Sequence, residues 1–378
     1  MPILLHIMIY KNARNGGIYL KPECYFLGSS TPTAFSTPID TLLSDTSNTV
    51  FILKGTAGSG KSTLMKRISS AFEDSPREVY YCSADPASLD AVYLKDRRVL
   101  IMDGTDPHSR DPVYPKAVQS IIDLGVYLST EQLRQKKDEI IAVTDEYSTY
   151  HKRCRLCLSA ASSVISDLMN AAAEAIDSER LHSFCVRTAK RLIPRPENGR
   201  PRGKRLYRQL SAVTMEGYRT FVPHCSNLYI LSDEMIYAAE HFIECAAEEA
   251  VNKGYDVIVS RCLFAREQHS EHLIIPELDT AFVTSSCLGK VTADCPKKII
   301  NMRRFYKKGV FRDDPRLKHR LKFGKKAVSV ILGEAASELT SAKALHDKIE
   351  EYYIAAADFD SLNRLGYKII SEIKSING

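Results

Sequence analysis

A short β-branched and apolar run, Thr49-Val-Phe-Ile-Leu53, leads directly into Lys54-Gly-Thr-Ala-Gly-Ser-Gly-Lys-Ser-Thr63. The chain continues as LMKRISSAF, where Leu64, Ile68 and Phe72 recur at helical spacing. Strand, glycine-rich turn and helix in immediate succession admit few folds. The strand reads as buried on both faces, which predicts an α/β architecture around a mostly parallel sheet. Gly55, Gly58 and Gly60 allow backbone conformations in which successive amides turn toward an anion, and the helix N-terminus adds the positive end of its dipole. The pattern G-x-x-x-x-G-K-[ST] in this context predicts a nucleotide site wrapped by Gly55, Thr56, Ala57, Gly58, Ser59, Gly60, Lys61, Ser62 and Thr63. Lys61 is expected on the β/γ-phosphates and Ser62 on Mg²⁺, so ATP and Mg²⁺ are the expected cofactors.

The strand Arg98-Val-Leu-Ile-Met-Asp103 ends in an acid, and Asp103 is the expected second anchor for Mg²⁺. Many ATPases of this type carry Glu at the next position to polarise water; here it is Gly104. The following loop, GTDPHSRDPVYP, offers Asp106, His108, Arg110 and Asp111, and Asp85 ends a strand on the same sheet edge. Asp106 and His108 are the candidates to orient water or an acceptor hydroxyl.

The chain repeats itself. Asn227-Leu-Tyr-Ile-Leu231 follows the pattern of Thr49–Leu53 at an offset of 178 residues, and Asp256-Val-Ile-Val-Ser260 falls opposite Glu78–Cys82. Three further residues of offset align HLIIPELDTAFVTS with AVYLKDRRVLIMDG, setting Thr284 against Asp103. The second copy keeps the apolar strands and loses the phosphate residues: Asp233 stands for Gly55, Ala239 for Lys61 and Glu240 for Ser62. Its carboxylates would repel a phosphate.

FILKGTAGSGKSTLMKRI, CSADPASLDAV, IMDGTDPHSRDPVYPKAVQSIIDLG, and, in the second half, GYDV and HLIIPELDTAFVTSS resemble a family of bacterial tandem P-loop proteins, described as ATPases or nucleotide-kinase-like. The resemblance runs from about Phe26 to the C-terminus. It implies two P-loop NTPase-like halves in one polypeptide; members typically carry a loop in both, and this chain departs from them at 232–240.

The expected layout is an N-terminal extension at 1–27, a competent P-loop NTPase domain at 28–193 with a helical arm at about 130–192, a basic linker at 194–206, and a degenerate P-loop-like domain at 207–378 with a helical tail at about 325–376. The expected activity is slow or partner-stimulated ATP hydrolysis in the N-terminal half. The rivals are a phosphotransferase with Asp85 or Asp106 as base, a non-enzymatic nucleotide sensor, and a nucleic-acid-associated module.

The last rival comes from charge. The chain carries only +6 overall, yet residues 187–208 hold nine basic side chains against one acid, and residues 303–326 eleven against two. Both segments are candidate contacts for nucleic acid or another polyanion, the second because Phe305, Tyr306, Phe311 and Phe323 interleave its basic residues. Alternatives are a solvated linker and a helical surface whose aromatics face the core, or an arginine reaching the nucleotide. Cys154-x-x-Cys157 with His151 reads as helix packing rather than a zinc site, and His269 with His272 as a weaker pair still. Ten scattered cysteines do not resemble a disulfide framework, and no run of about 18 apolar residues predicts a membrane span; the cytosol is expected.

Overall fold

The computed structural model describes residues 9–11, 18–31, 35–106, 108–196, 199–264 and 269–376. The chain folds into two compact units, each built on a six-stranded, mostly parallel α/β sheet. The first unit takes strands β1 (Glu23–Phe26), β2 (Thr49–Lys54), β3 (Arg77–Tyr81), β4 (Leu89–Leu94), β5 (Val99–Asp103) and β6 (Gln119–Asp123), with helix α1 (Lys61–Ala71). Their order across the sheet is β6-β2-β5-β4-β3-β1, and β4 alone runs against its two neighbours.

After the long helix α2 (Lys137–Ala175) and helix α3 (Ser178–Leu192), the second sheet takes β7 (Arg205–Tyr207), β8 (Asn227–Ser232), β9 (Val257–Arg261), β10 (Ser270–Ile275), β11 (Thr280–Ser285) and β12 (Lys298–Asn301), with helix α4 (Tyr237–Asn252) following β8. Its order, β12-β8-β11-β10-β9-β7, is that of the first sheet strand for strand. Even the irregularity recurs: the antiparallel register slips between Tyr80 and Tyr81 in one copy and between Ser260 and Arg261 in the other. The duplication is therefore one of topology as well as of hydrophobic pattern.

Expected and observed domains differ in what belongs to each unit. Helices α5 (Pro315–Ala355) and α6 (Phe359–Ser375) close the chain. The first unit consists chiefly of Phe35–Cys154 with Ser337–Gly378, and the second chiefly of Arg155–Ala336, so each half of the sequence donates the later part of its long helix, and the helix that follows, to the unit of the other. The cause is apolar burial. Ile369, Ile370 and Ile373 of α6 are buried with Leu64, Ile68 and Phe51 of the first unit, whereas Leu181, Cys185 and Ala189 of α3 are buried with Phe242, Ala246 and Tyr229 of the second. The entry to each hairpin is tied in the same way: Asp358 N–H donates to Tyr127 O (2.9 Å) in one unit and Asp177 N–H to Phe305 O (2.9 Å) in the other.

Other boundaries shift. β1 lies in the segment read as an extension, and pairs in parallel with β3. The basic linker ends in the edge strand β7, and the C-terminal helical region starts at Pro315, a residue suited to a first helical turn, rather than near 325. Its charges are engaged: Arg200 pairs with Glu277 (2.5 Å), Arg202 with Glu248 (2.6 Å) and Arg205 with Glu244 (2.9 Å). In the second basic segment Arg320 pairs with Asp167 (2.5 Å) and Glu174 (3.0 Å), Phe305 and Tyr306 are buried, and Phe323 is exposed. Contrary to expectation, α2 contains a stretch long and apolar enough to cross a membrane, with mean hydropathy 1.3. Many of its apolar side chains, Leu158, Ile165 and Leu168 among them, are fully buried inside the protein.

Because Ile373 is wholly buried, Ile373→Ala is expected to cost about 2–5 kcal/mol. Hydrogen exchange should accelerate in β2 and β5, far away in sequence, and leave β8 and β11 protected; acceleration confined to β8 and β11 would contradict the exchanged hairpins.

Candidate functional site

Four buried residues of β2, Val50–Leu53, drive the strand into the centre of the first sheet and deliver Gly55 to its carboxyl end. Leu64, Met65 and Ile68 then seat α1 on the sheet, so the loop between them is held at both ends. Gly58 and Gly60 adopt φ of +75° and +87°, a region costly for any side chain. A Cβ at Gly58 would also stand 2.8 Å from the carbonyl oxygen of Glu350, so the donated helix α5 lies directly on the loop.

Lys61 folds back over this loop. Its ammonium donates to Gly55 O (2.9 Å) and Thr56 O (2.7 Å), and stands 3.7 Å from Asp103 Oδ2. The other carboxylate oxygen of Asp103 accepts from Thr105 N–H (2.8 Å) and Thr105 Oγ1 (2.5 Å). Asp103 thus caps its own turn and faces the lysine at once. Ser62 Oγ accepts from Leu89 N–H (3.0 Å), which fixes the hydroxyl at the start of α1. Thr56 and Thr63 are exposed, Ala57 is half-buried and Ser59 is fully buried, its hydroxyl donating to Thr56 O (2.7 Å).

Gly104 has a packing reason. A Cβ there would sit 2.2 Å from Ile52 Cγ2, so the sheet leaves no room for the glutamate that many ATPases place at this point. The Lys54 ammonium donates to the Gly104 carbonyl (2.8 Å) and holds the turn.

The loop after β5 separates its candidates. His108 turns inward: its Nε2 is 3.3 Å from Asp90 Oδ2, each side chain 8% exposed. Burial opposes the imidazolium, but the adjacent Asp90 carboxylate, helped by Asp103 and Asp106, raises the His108 pKa above its ordinary 6.5. Asp106 itself is exposed. Arg110 turns to Asp40 (3.1 Å), and Asp111 is 89% exposed, 3.4 Å from Lys54. Asp85 accepts from Ser88 Oγ (2.9 Å) and pairs with Lys343 (3.2 Å) of the donated helix; burial resists, yet these partners hold its carboxyl below the usual range.

Sequence reasoning missed Asp90, Tyr147 and Lys343. Asp90 sits mid-strand in β4, and only its burial at 5% exposure marks it. Tyr147, on the first half of α2, has its hydroxyl pKa pushed up to about 12, by burial first and then by Cys82, Asp106 and Asp90. Lys343 belongs to the helix expected in the other domain. The Cys154 and Cys157 pair lies on α2, Cys154 buried and Cys157 half-buried. His272 is fully buried with its Nε2 2.7 Å from Ser211 Oγ, while His269 pairs with Glu240 (2.6 Å).

In the second unit the corresponding loop is closed by one of its own side chains. Asp233, where the first copy has Gly55, is 2% exposed, and its Oδ2 accepts from Ala238 N–H (2.8 Å) and Ala239 N–H (2.9 Å) at the start of α4. Its Oδ1 accepts from Met235 N–H (3.1 Å). Amides at the start of α4 are thus satisfied by a carboxylate of the chain itself.

Two outcomes follow for the first unit. Gly104→Ala is expected to destabilise it by about 1–3 kcal/mol through the clash with Ile52, measured by urea unfolding; an unchanged midpoint would show that the turn has room. His108 carries a raised folded-state pKa, so its contribution is complete below the ordinary 6.5 and fades as pH rises through the raised value. His108→Gln is accordingly expected to cost about 1.5–3 kcal/mol below 6.5, with the deficit shrinking at alkaline pH; a deficit that grows with pH would refute the Asp90 pairing.

A scan of protein-family models, a search of curated proteins and a search of solved structures each returned no match to this chain.

Proposed function

We propose that the first unit binds Mg-ATP at 55–63 and hydrolyses it, slowly or when a partner stimulates it, while the second unit binds no nucleotide at the equivalent loop. The observation that supports this reading most is the Lys61 ammonium, held by two loop carbonyls and set 3.7 Å from Asp103 at the mouth of a glycine loop opening a helix. Cation, acid and unpaired helix-terminal amides together suit a polyphosphate with its metal.

The donors present fit that group. Ser62 and Asp103 supply the hard oxygen ligands that Mg²⁺ takes, and the positive φ of Gly58 and Gly60 is the backbone form that turns successive N–H groups toward an anion. Bound Mg²⁺ would neutralise charge on the phosphates. Lys61 would leave its loop carbonyls for the β/γ-phosphates. With Gly104 closed to a glutamate, His108, held by Asp90, is the group proposed to orient the attacking water, with Asp106 beside it.

Phosphate release from ATP by the full chain tests this, with Lys61→Ala expected to lower the rate on the order of 100-fold or more. Release that Lys61→Ala leaves intact, or no release with or without nucleic acid, sinks the hydrolase. Transfer of labelled phosphate to an added nucleoside would replace it with a phosphotransferase, and tight binding without any product with a sensor.

A further inference from the structure

Four metal-binding side chains meet on two helices of the second unit. His182 and Cys185 lie three residues apart on α3, and His241 and Cys245 four apart on α4, spacings that put each pair on one helix face. His182 Nδ1 and His241 Nε2 are 3.2 Å apart, and the ligand atoms of His182, His241 and Cys245 all lie within 4.8 Å of one another. Cys185, fully buried, lies one turn along α3 from His182 and outside that 4.8 Å group. With its sulfur turned toward them, the four side chains would make the two-sulfur, two-imidazole donor set of a tetrahedral zinc site, in which neighbouring ligand atoms stand about 3.3–3.8 Å apart.

The duplication supplies a control. The first unit packs the same helix pair, α6 on α1, and the four equivalent positions are Asn363, Gly366, Thr63 and Arg67. There Arg67 Nη2 donates to Asn363 Oδ1 (2.9 Å), and a Cβ at Gly366 would come 3.2 Å from Arg67. One architecture is thus closed by a single neutral–cationic hydrogen bond in one copy and by two histidines and two cysteines in the other. Packing of the helices does not call for the second set, since packing is achieved without it.

We propose that His182, Cys185, His241 and Cys245 form a structural Zn²⁺ site that fastens α3 to α4. On binding, the Cys185 and Cys245 thiol protons would pass to solvent, leaving two thiolates and two neutral imidazoles on the metal. All four positions are protein ligands, so the site is closed and needs no role in ATP chemistry.

The test uses the full chain, reduced and stripped of metal, then titrated with Co²⁺ as a spectroscopic stand-in for Zn²⁺. Expected are one Co²⁺ per chain, thiolate-to-cobalt charge-transfer bands with the intense d–d absorption of tetrahedral coordination, displacement by Zn²⁺, and a higher unfolding temperature with Zn²⁺ than with chelator. His182 is exposed, so His182→Ala leaves the core intact; it should weaken binding on the order of 100-fold or more, and Cys245→Ser should cut the charge-transfer intensity per bound Co²⁺ to about half. Octahedral or non-saturating spectra, binding unchanged in His182→Ala, or a Cys185–Cys245 disulfide in the reduced preparation would overturn the site.

Discussion

The apolar face that each terminal helix buries on the other half's sheet is what the rest of the molecule depends on. Helix α6 places Ile369, Ile370 and Ile373 against Leu64 and Ile68 of α1, and each such side chain contributes about 1.5–3 kcal/mol when taken from water. Without that face α1 would expose its outer surface, and with it the loop that α1 and β2 hold between them. The same face brings the second half of α5 over Gly58 and Lys343 to Asp85. Residues separated by nearly three hundred positions therefore build one site, and its geometry rests on hydrophobic burial before any polar contact forms.

A comparison between the two loops isolates what a helix N-terminus requires. In both copies a buried strand ends against the first turn of a helix whose leading amides have no partner within the helix. The first copy leaves them to glycine backbone, with Lys61 lodged nearby on loop carbonyls. The second copy satisfies them with Asp233, which accepts from three N–H groups. An internal carboxylate satisfies such amides at no cost in translational entropy, so that loop needs no external anion to be stable.

Sheet content and repeat were legible because buried strands such as Val50–Leu53 and Leu228–Leu231 write their environment into a run of apolar residues, and because both copies retained it. The glycine loop was legible as a motif, and its neighbours Asp103 and His108 by position along the chain. The helix exchange was not. Periodicity in Leu181, Cys185 and Ala189 shows that α3 has an apolar face, but a face carries no address, and either sheet would accept it. Asp90 escaped notice for a related reason: a single acid inside LDAVYL looks like the outward residue of an alternating strand, whereas all six residues of β4 are buried. Gly104 looked like a lost glutamate; the side chain of Ile52 shows it as a required absence.

Exchange of the helices also makes the two halves of the sequence interdependent. The second half of the sequence carries α6 and the end of α5, which complete the first core, and the first half carries α3, which completes the second. Neither sheet can bury its helix without chain from the other half. The constraint acts on apolar faces and leaves loops free, so Asp233 and Glu240 can stand in one copy where the other has Gly55 and Ser62, while the strand order is identical down to the bulge.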